Sequence, residues 1–179
     1  MNFEKMSLGL AAVTTGLVAG LFFAYQVSVN PAFKKLPDGE YIRAMQAINV
    51  AIQNPIFLSC FTGNLLFLVA ATYLHRAHSS GGTSKLLLAA SVLYAIGVFG
   101  VTVAGNVPLN DALAKVSLAS STPAQLTVAR SSFQEPWNDL HLVRTIASVV
   151  CLVLVVAACL SSTGLKTERN ENRPQKKLR

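Results

Sequence analysis

The sequence predicts an all-α fold, a transmembrane four-helix bundle with short amphipathic helices in two outer loops. Three observations carry this. The chain has 179 residues, 52% of them hydrophobic and only 13% charged, whereas a soluble domain carries roughly a quarter charged residues. Four apolar runs lie at about residues 8–29, 55–74, 86–107 and 138–160. Each is long enough to cross a hydrocarbon core of about 30 Å at about 1.5 Å per residue. The net charge of +7 is also lopsided, with much of it in the last residues.

The first run, Leu8 to Val29, is interrupted only by Thr14, Thr15, Gln26, Ser28 and small residues. Gly16-x-x-x-Gly20 suits close helix packing. The run is too long for a secretory apolar core of roughly 7–15 residues. Glu4 offsets Lys5, and no A-x-A-like site precedes Asn30-Pro31, so the run reads as a span rather than a signal. Leu36-Pro37-Asp38-Gly39 is a turn. Beyond it, Glu40 to Gln53 has helical periodicity. Tyr41, Met45, Ile48 and Ile52 form one apolar stripe, with Gln46, Asn49 and Gln53 on another face. This helix is expected to lie against the outer mouth of the bundle and to end at Asn54-Pro55, because a residue before proline avoids the α region.

Pro55 to Leu74 has no charge, and Asn64 in its middle suits an interhelical hydrogen bond. His75 and His78 fall in a short basic loop and read as surface residues. Leu86 to Val107 carries Gly97, Gly100 and Gly105, which permit close backbone approach, and the polar Thr102 and Asn106. Asn106-Val107-Pro108-Leu109-Asn110 reads as a turn closing that span. The second outer loop then holds two short helices. One follows Pro108, from Asn110 to Ala119. The other runs from Pro123 to Phe133, with Thr122 as its N-cap and proline first. Glu135-Pro136 opens the last helix, which carries Trp137, Asn138, His141 and Arg144 inward. Between Leu142 and Leu160 the one charge is Arg144.

Residues 1–165 therefore form one four-span membrane domain, and 166–179 a basic disordered cytoplasmic tail. The tail has Lys166, Arg169, Arg173, Lys176, Lys177 and Arg179 against Glu168 and Glu171. Arg76 and Lys85 lie on the same side. The outer loops dilute their cations with Asp38, Glu40, Asp111, Glu135 and Asp139. The positive-inside rule places both termini in the cytoplasm. The tail has no interleaved aromatics, so its partner is the lipid bilayer and no nucleic acid is expected. The oligomeric state is not legible.

The chemistry concentrates in the last helix. Trp137, His141, Arg144 and Ser148 fall at i, i+4, i+7 and i+11 and share a face. Polar groups in a span must face protein or water, because each unpaired one costs several kcal/mol in lipid. One reading is a substrate pocket, with Trp137 stacking, His141 as acid/base and Arg144 stabilising an anion. The other is interfacial anchoring, with Trp137 in the headgroup belt and Arg144 snorkelling. Asn106 and Asn110 either orient a substrate carbonyl or satisfy a helix end. No metal site is expected: the spans lack carboxylates, and His141 is the one histidine near the outer boundary. Cys60, Cys151 and Cys159 form no C-x-x-C pair and read as packing residues. No Walker, Rossmann or Ser-His-Asp pattern is present.

Four segments together resemble a known family. They are Gly16-Leu17 through Gly20-Leu21-Phe22 with Ser28-Val29-Asn30-Pro31; Met45-Gln46-Ala47-Ile48-Asn49 leading to Asn54-Pro55; Asn106-Val107-Pro108-Leu109-Asn110; and Trp137-Asn138-Asp139-Leu140-His141-Leu142-Val143-Arg144. They are similar to the anthrone oxygenase-like family of small four-span membrane proteins, over about residues 8 to 160. Characterised fungal members oxidise anthrones to anthraquinones with molecular oxygen. This chain looks more like the bacterial members, which implies a bacterial inner membrane and leaves the substrate open. The resemblance implies a monooxygenase acting on a hydroxyaromatic or quinol-like molecule, with His141 and Arg144 catalytic and Asn106, Asn110, Trp137 and Asn138 substrate-binding. It implies no cofactor beyond O2. The alternative is a non-enzymatic membrane binding or assembly protein whose polar cluster is structural. A coupled transporter is the weakest reading, for want of an intramembrane carboxylate.

Overall fold

On each long helix one face, carrying most of the polar residues together with apolar core residues, turns inward, and the other exposes bulky aliphatic side chains. Along α1 (Phe3–Phe33), Leu8, Ala11, Thr15, Val18 and Phe22 are buried at three- and four-residue intervals, while Val13, Leu17 and Leu21 are exposed. Lipid solvates Leu and Val well, but hydroxyls, amides and cations must find partners inside. The computed structural model describes residues 3–76 and 82–171, with side chains through residue 162. After α1 come α2 (Asp38–Ala51), α3 (Pro55–His75), α4 (Gly82–Ala114) and α5 (Pro123–Glu171). Among the described residues no strand occurs. The four helices α1, α3, α4 and α5 are long and apolar enough to cross a membrane.

The long helices form a ring in chain order. α1 packs on α3 and α5, and α4 packs on the same two. This is the up-and-down arrangement that short connections favour. The core has three tiers. Leu8, Ala71, Leu87 and Ala158 fill the end near the termini. Phe22, Phe61, Leu68, Tyr94, Val98, Cys151 and Val155 fill the middle. Tyr41, Ile42, Met45, Leu113, Phe133 and Trp137 fill the far end, where α2 lies across the mouth. Asn64 makes the interhelical bonds that its place suggests, its Oδ1 accepting from Thr14 Oγ1 at 2.8 Å and Thr15 Oγ1 at 2.9 Å.

Glycine sets the approach of α4 to α5 rather than of α1 to its neighbours. A Cβ on Gly97 would stand 2.9 Å from that of Ala147, and one on Gly105 would stand 2.7 Å from Leu140 Cδ1. On α1, a Cβ on Gly16 would meet Leu152 of α5 at 3.9 Å, an ordinary contact, and Gly20 has nothing within 4 Å, so of the expected Gly16–Gly20 pair only Gly16 packs within the described residues.

Other expectations change with the structure. The first span runs from Phe3, the third from Gly82 to Ala114 and the last from Pro123, each longer than its apolar run. Asn106-Val107-Pro108-Leu109-Asn110 is helix, not turn: Thr102–Asn106 is a π-helical turn that passes directly into Val107–Ala114. The wider turn draws the preceding carbonyls away from the Pro108 ring, which relieves the clash that normally breaks a helix. The separate helices ending at Ala119 and Phe133 are likewise not seen. Val107–Ala114 is the end of α4, and α5 runs unbroken through Pro136. Phe133 and Trp137 stack on one another across that proline and both sit in the outer core, so packing on either flank keeps one axis. The Thr122 cap is present, with Thr122 N–H donating to Gln125 Oε1 at 2.8 Å, a capping box.

The buried stripe of α2 is Tyr41, Ile42, Met45 and Asn49, rotated from the expected one. Beside that stripe, Gln46 Nε2 donates to the carbonyls of Leu113 and Val116, tying α2 to the end of α4 and the loop beyond it. His75 is buried against the Ala71 carbonyl rather than on the surface. His78 lies outside the described residues. The helix α5 extends to Glu171, into the segment read as a tail.

Candidate functional site

The inward face of α5 builds the site because its polar residues have nowhere else to go. Trp137, His141, Arg144, Thr145 and Ser148 are all buried. The Trp137 and His141 rings stack, with centroids 4.9 Å apart and planes 13° from parallel. One turn inward, the Arg144 Nε–H donates to His141 Nδ1 at 3.1 Å. A guanidinium only donates, so Nδ1 accepts and the imidazole proton sits on Nε2. Nε2 then donates to the Phe22 carbonyl of α1, 3.2 Å away. Both imidazole nitrogens are engaged in this state.

Arg144 is the odd charge. It is 8% exposed. Its Nη1 donates to Thr102 Oγ1 of α4 at 3.3 Å. Its guanidinium carbon lies 4.4 Å over the Phe22 ring and 5.1 Å from the Trp137 centroid. Among the described residues no carboxylate pairs with it; Arg130 and Asp38 form an ion pair elsewhere. Aromatic faces and two hydrogen bonds thus hold a buried cation without a counter-ion.

α4 closes the other wall. Asn106 Nδ2 donates to the Trp137 carbonyl at 3.2 Å, and the Trp137 indole N–H donates to Asn110 Oδ1 at 2.9 Å. Asn106 is fully buried, and its Oδ1 has no hydrogen-bond partner. The two asparagines reach α5 because the chain there is helical and puts them on one face. The structure therefore brings Asn106, Asn110, Trp137, His141 and Arg144 together. Asn138 lies half-buried one position around the helix.

Two contributors were not singled out from the sequence. Phe22 supplies both the carbonyl facing His141 and the ring under Arg144. Tyr25 packs edge-on to His141, with centroids 5.3 Å apart, and 5.5 Å from Trp137. Their signal was the continuation of the Thr15, Val18, Phe22 stripe by one further turn. Thr102 was noted only as an interhelical polar residue.

The cover over this cluster is α2, clasped from outside. Arg130 of α5 donates to Asp38 Oδ1 at 2.9 Å and to the Leu36 carbonyl at 2.6 Å, while the Thr127 hydroxyl donates to Asp38 Oδ2 at 2.6 Å. The Thr127 hydrogen bond, and then Arg130, hold the Asp38 carboxyl below the usual carboxylate range. Burial pushes the Tyr41 phenol of α2 up to about 12, with Arg130 acting in the opposite direction. Among the described residues no group of three His, Cys, Asp or Glu side chains is placed to hold a metal ion.

A ring of membrane-length helices with a buried polar and aromatic cluster beneath the α2 cover defines a multi-pass helical membrane protein. A family model described as anthrone oxygenase matches residues 43–162, from within α2 through the apolar part of α5, and includes Asn106, Asn110, Trp137, His141 and Arg144. The chain belongs to the anthrone oxygenase family. Comparison with curated proteins and with solved structures returns no match.

Proposed function

We propose that this protein is an oxygenase of the anthrone type. It takes a flat hydroxyaromatic or quinol-like substrate from the membrane and oxidises it with O2 in the outer cluster. The observation that carries the proposal is Arg144, a buried guanidinium with hydrogen bonds and aromatic contacts but no counter-ion among the described residues. Such a group stabilises an anion that forms beside it. An ionisable residue inside a span also marks function by default.

The chemistry needs a base and an anion stabiliser. A methylene flanked by aromatic rings and conjugated to a carbonyl loses a proton to His141. The electron pair delocalises onto the carbonyl oxygen, facing Arg144. The anion reduces O2 and combines with it at carbon, giving a peroxide that takes a proton. Loss of water from the C–H and O–O bonds leaves a new carbonyl. The substrate carbon surrenders four electrons and O2 accepts four, so no external reductant enters. In the resting arrangement Arg144 occupies the His141 Nδ1 lone pair. As the substrate docks, the guanidinium turns from imidazole to substrate oxygen, which frees the base as it places the cation. Asn106 Oδ1, unpaired in the resting state, accepts from a substrate hydroxyl. Trp137 packs on the ring, and Asn110 and Asn138 complete the polar rim.

The test is purified protein in lipid, given anthrone under 18O2. One labelled oxygen in the new carbonyl and one in water is the expected outcome. Unlabelled product, or none above the spontaneous rate, would remove the proposal. The engagement of both His141 nitrogens favours a second reading, in which the cluster only locks α1, α4 and α5 together in a binding or assembly protein. Absence of turnover with intact ligand binding supports that reading.

We also assign both termini to the cytoplasm, with the α2 cover on the opposite side, from the charge asymmetry of the loops. Cysteine labelling at Ser120 and Gln175 in intact cells should modify Ser120→Cys alone. Modification of both from outside would reverse the assignment.

A further inference from the structure

We infer that the Tyr25 hydroxyl is a specificity-determining donor for the substrate's carbonyl oxygen, taking up that bond in place of the one it now makes to Met45. The inference rests on the oxygenase reading. Tyr25 begins a π-helical turn, Tyr25–Val29, in which the Asn30 N–H reaches back to the Tyr25 carbonyl. Such turns insert one extra residue into a helix and re-aim the side chains around it. Here the ring stands against both site aromatics, 5.3 Å from His141 and 5.5 Å from Trp137. Its hydroxyl donates to Met45 Sδ of α2 at 3.1 Å.

That acceptor is the informative part. A thioether sulfur is a weak acceptor, and a buried phenol ordinarily finds a carbonyl or carboxylate. Tyr25 is half-buried; Tyr94, fully buried in the middle tier, donates to the Phe61 carbonyl at 2.8 Å. Tyr25 instead keeps a strong donor on a poor acceptor, and that acceptor is the tip of an unbranched, flexible side chain on the cover helix. A carbonyl oxygen at the sulfur's position is the better partner, so exchange favours an oxygen-bearing ligand over a hydrocarbon of the same shape. Met45 is 1% exposed and fills the space between α2 and Tyr25. Its movement both vacates that space and releases the donor.

The chain's single tryptophan is Trp137, so intrinsic fluorescence reports ligand at this site without turnover. Titration with anthraquinone and with anthracene, which lacks the oxygens, separates oxygen recognition from ring stacking. In Tyr25→Phe the anthraquinone Kd should rise about tenfold, the scale of one lost hydrogen bond, and the anthracene Kd should stay unchanged. Met45→Leu removes the competing acceptor and should tighten anthraquinone alone. Equal anthraquinone affinity in wild type and Tyr25→Phe overturns the inference, as does a parallel loss for both ligands, which marks a packing role. If neither ligand quenches Trp137 in the folded wild type, the oxygenase reading of the site falls, and this inference with it.

Discussion

His141→Ala is expected to abolish anthrone-dependent oxygen uptake while leaving a folded bundle. A positioned base contributes about 10²- to 10⁴-fold, so the residual rate should fall to the spontaneous one. The substitution also removes a ring stacked on Trp137 and leaves the Arg144 Nε–H without its acceptor. That costs on the order of 2 to 3 kcal/mol of stability, so thermal unfolding in detergent must accompany the assay. His141→Gln is the informative partner. It keeps a hydrogen-bonding side chain near the same place but cannot take a proton at neutral pH. A structural lock predicts that glutamine restores what alanine loses. A base predicts that glutamine restores the melting temperature and leaves the rate at background. Full activity in a folded His141→Ala protein would remove the mechanism.

Arg144→Lys should retain a cation and still lose most of the rate. Arg144 spans two partners with different nitrogens, Nε to His141 and Nη1 to Thr102, while lying flat over Phe22. Lysine supplies a compact charge and no planar fork, so it cannot hold both contacts and the ring face at once. Removal of one preorganised donor from an anion site costs about 10²- to 10³-fold in turnover. Stability should fall no further for methionine than for lysine, because methionine removes a buried charge that has no counter-ion whereas lysine keeps a more strongly hydrated one there. Steady-state oxygen uptake against anthrone concentration checks this: the loss should lie in kcat. A change confined to KM would assign Arg144 to docking rather than to the anion that forms during reaction.

Much of this site was legible beforehand because a membrane makes polarity conspicuous. A soluble helix may place His or Arg on any wet face. In a span the stripe Trp137, His141, Arg144, Ser148 has to point inward, and all four are buried. Asn64 and Asn106 were marked by the same argument, and both are fully buried. Tyr25 and Phe22 were not, since an aromatic in an apolar run carries no such signal. Helix ends were misread for a related reason. Pro108 and Pro136 break helices in water, where freed backbone groups are readily solvated. Inside a packed bundle the chain continues through both, by a π turn before the first and by stacked aromatics across the second.

The sequence alone determined the all-α class, the existence of four spans and the inward polar stripe of α5. These follow from length, apolar content and helical period, which are properties of a single helix in lipid. Tertiary structure alone decided that Arg144 has no carboxylate partner among the described residues, that it holds the His141 lone pair, and that Tyr25 gives its hydroxyl to Met45 of the cover. These depend on which rotation each helix adopts against its neighbours. The rotation is set where Gly97 and Gly105 let α4 approach α5 and where π turns in α1 and α4 shift the register by one residue. A period of 3.6 residues places a side chain on a face of its own helix; only packing says what that face meets.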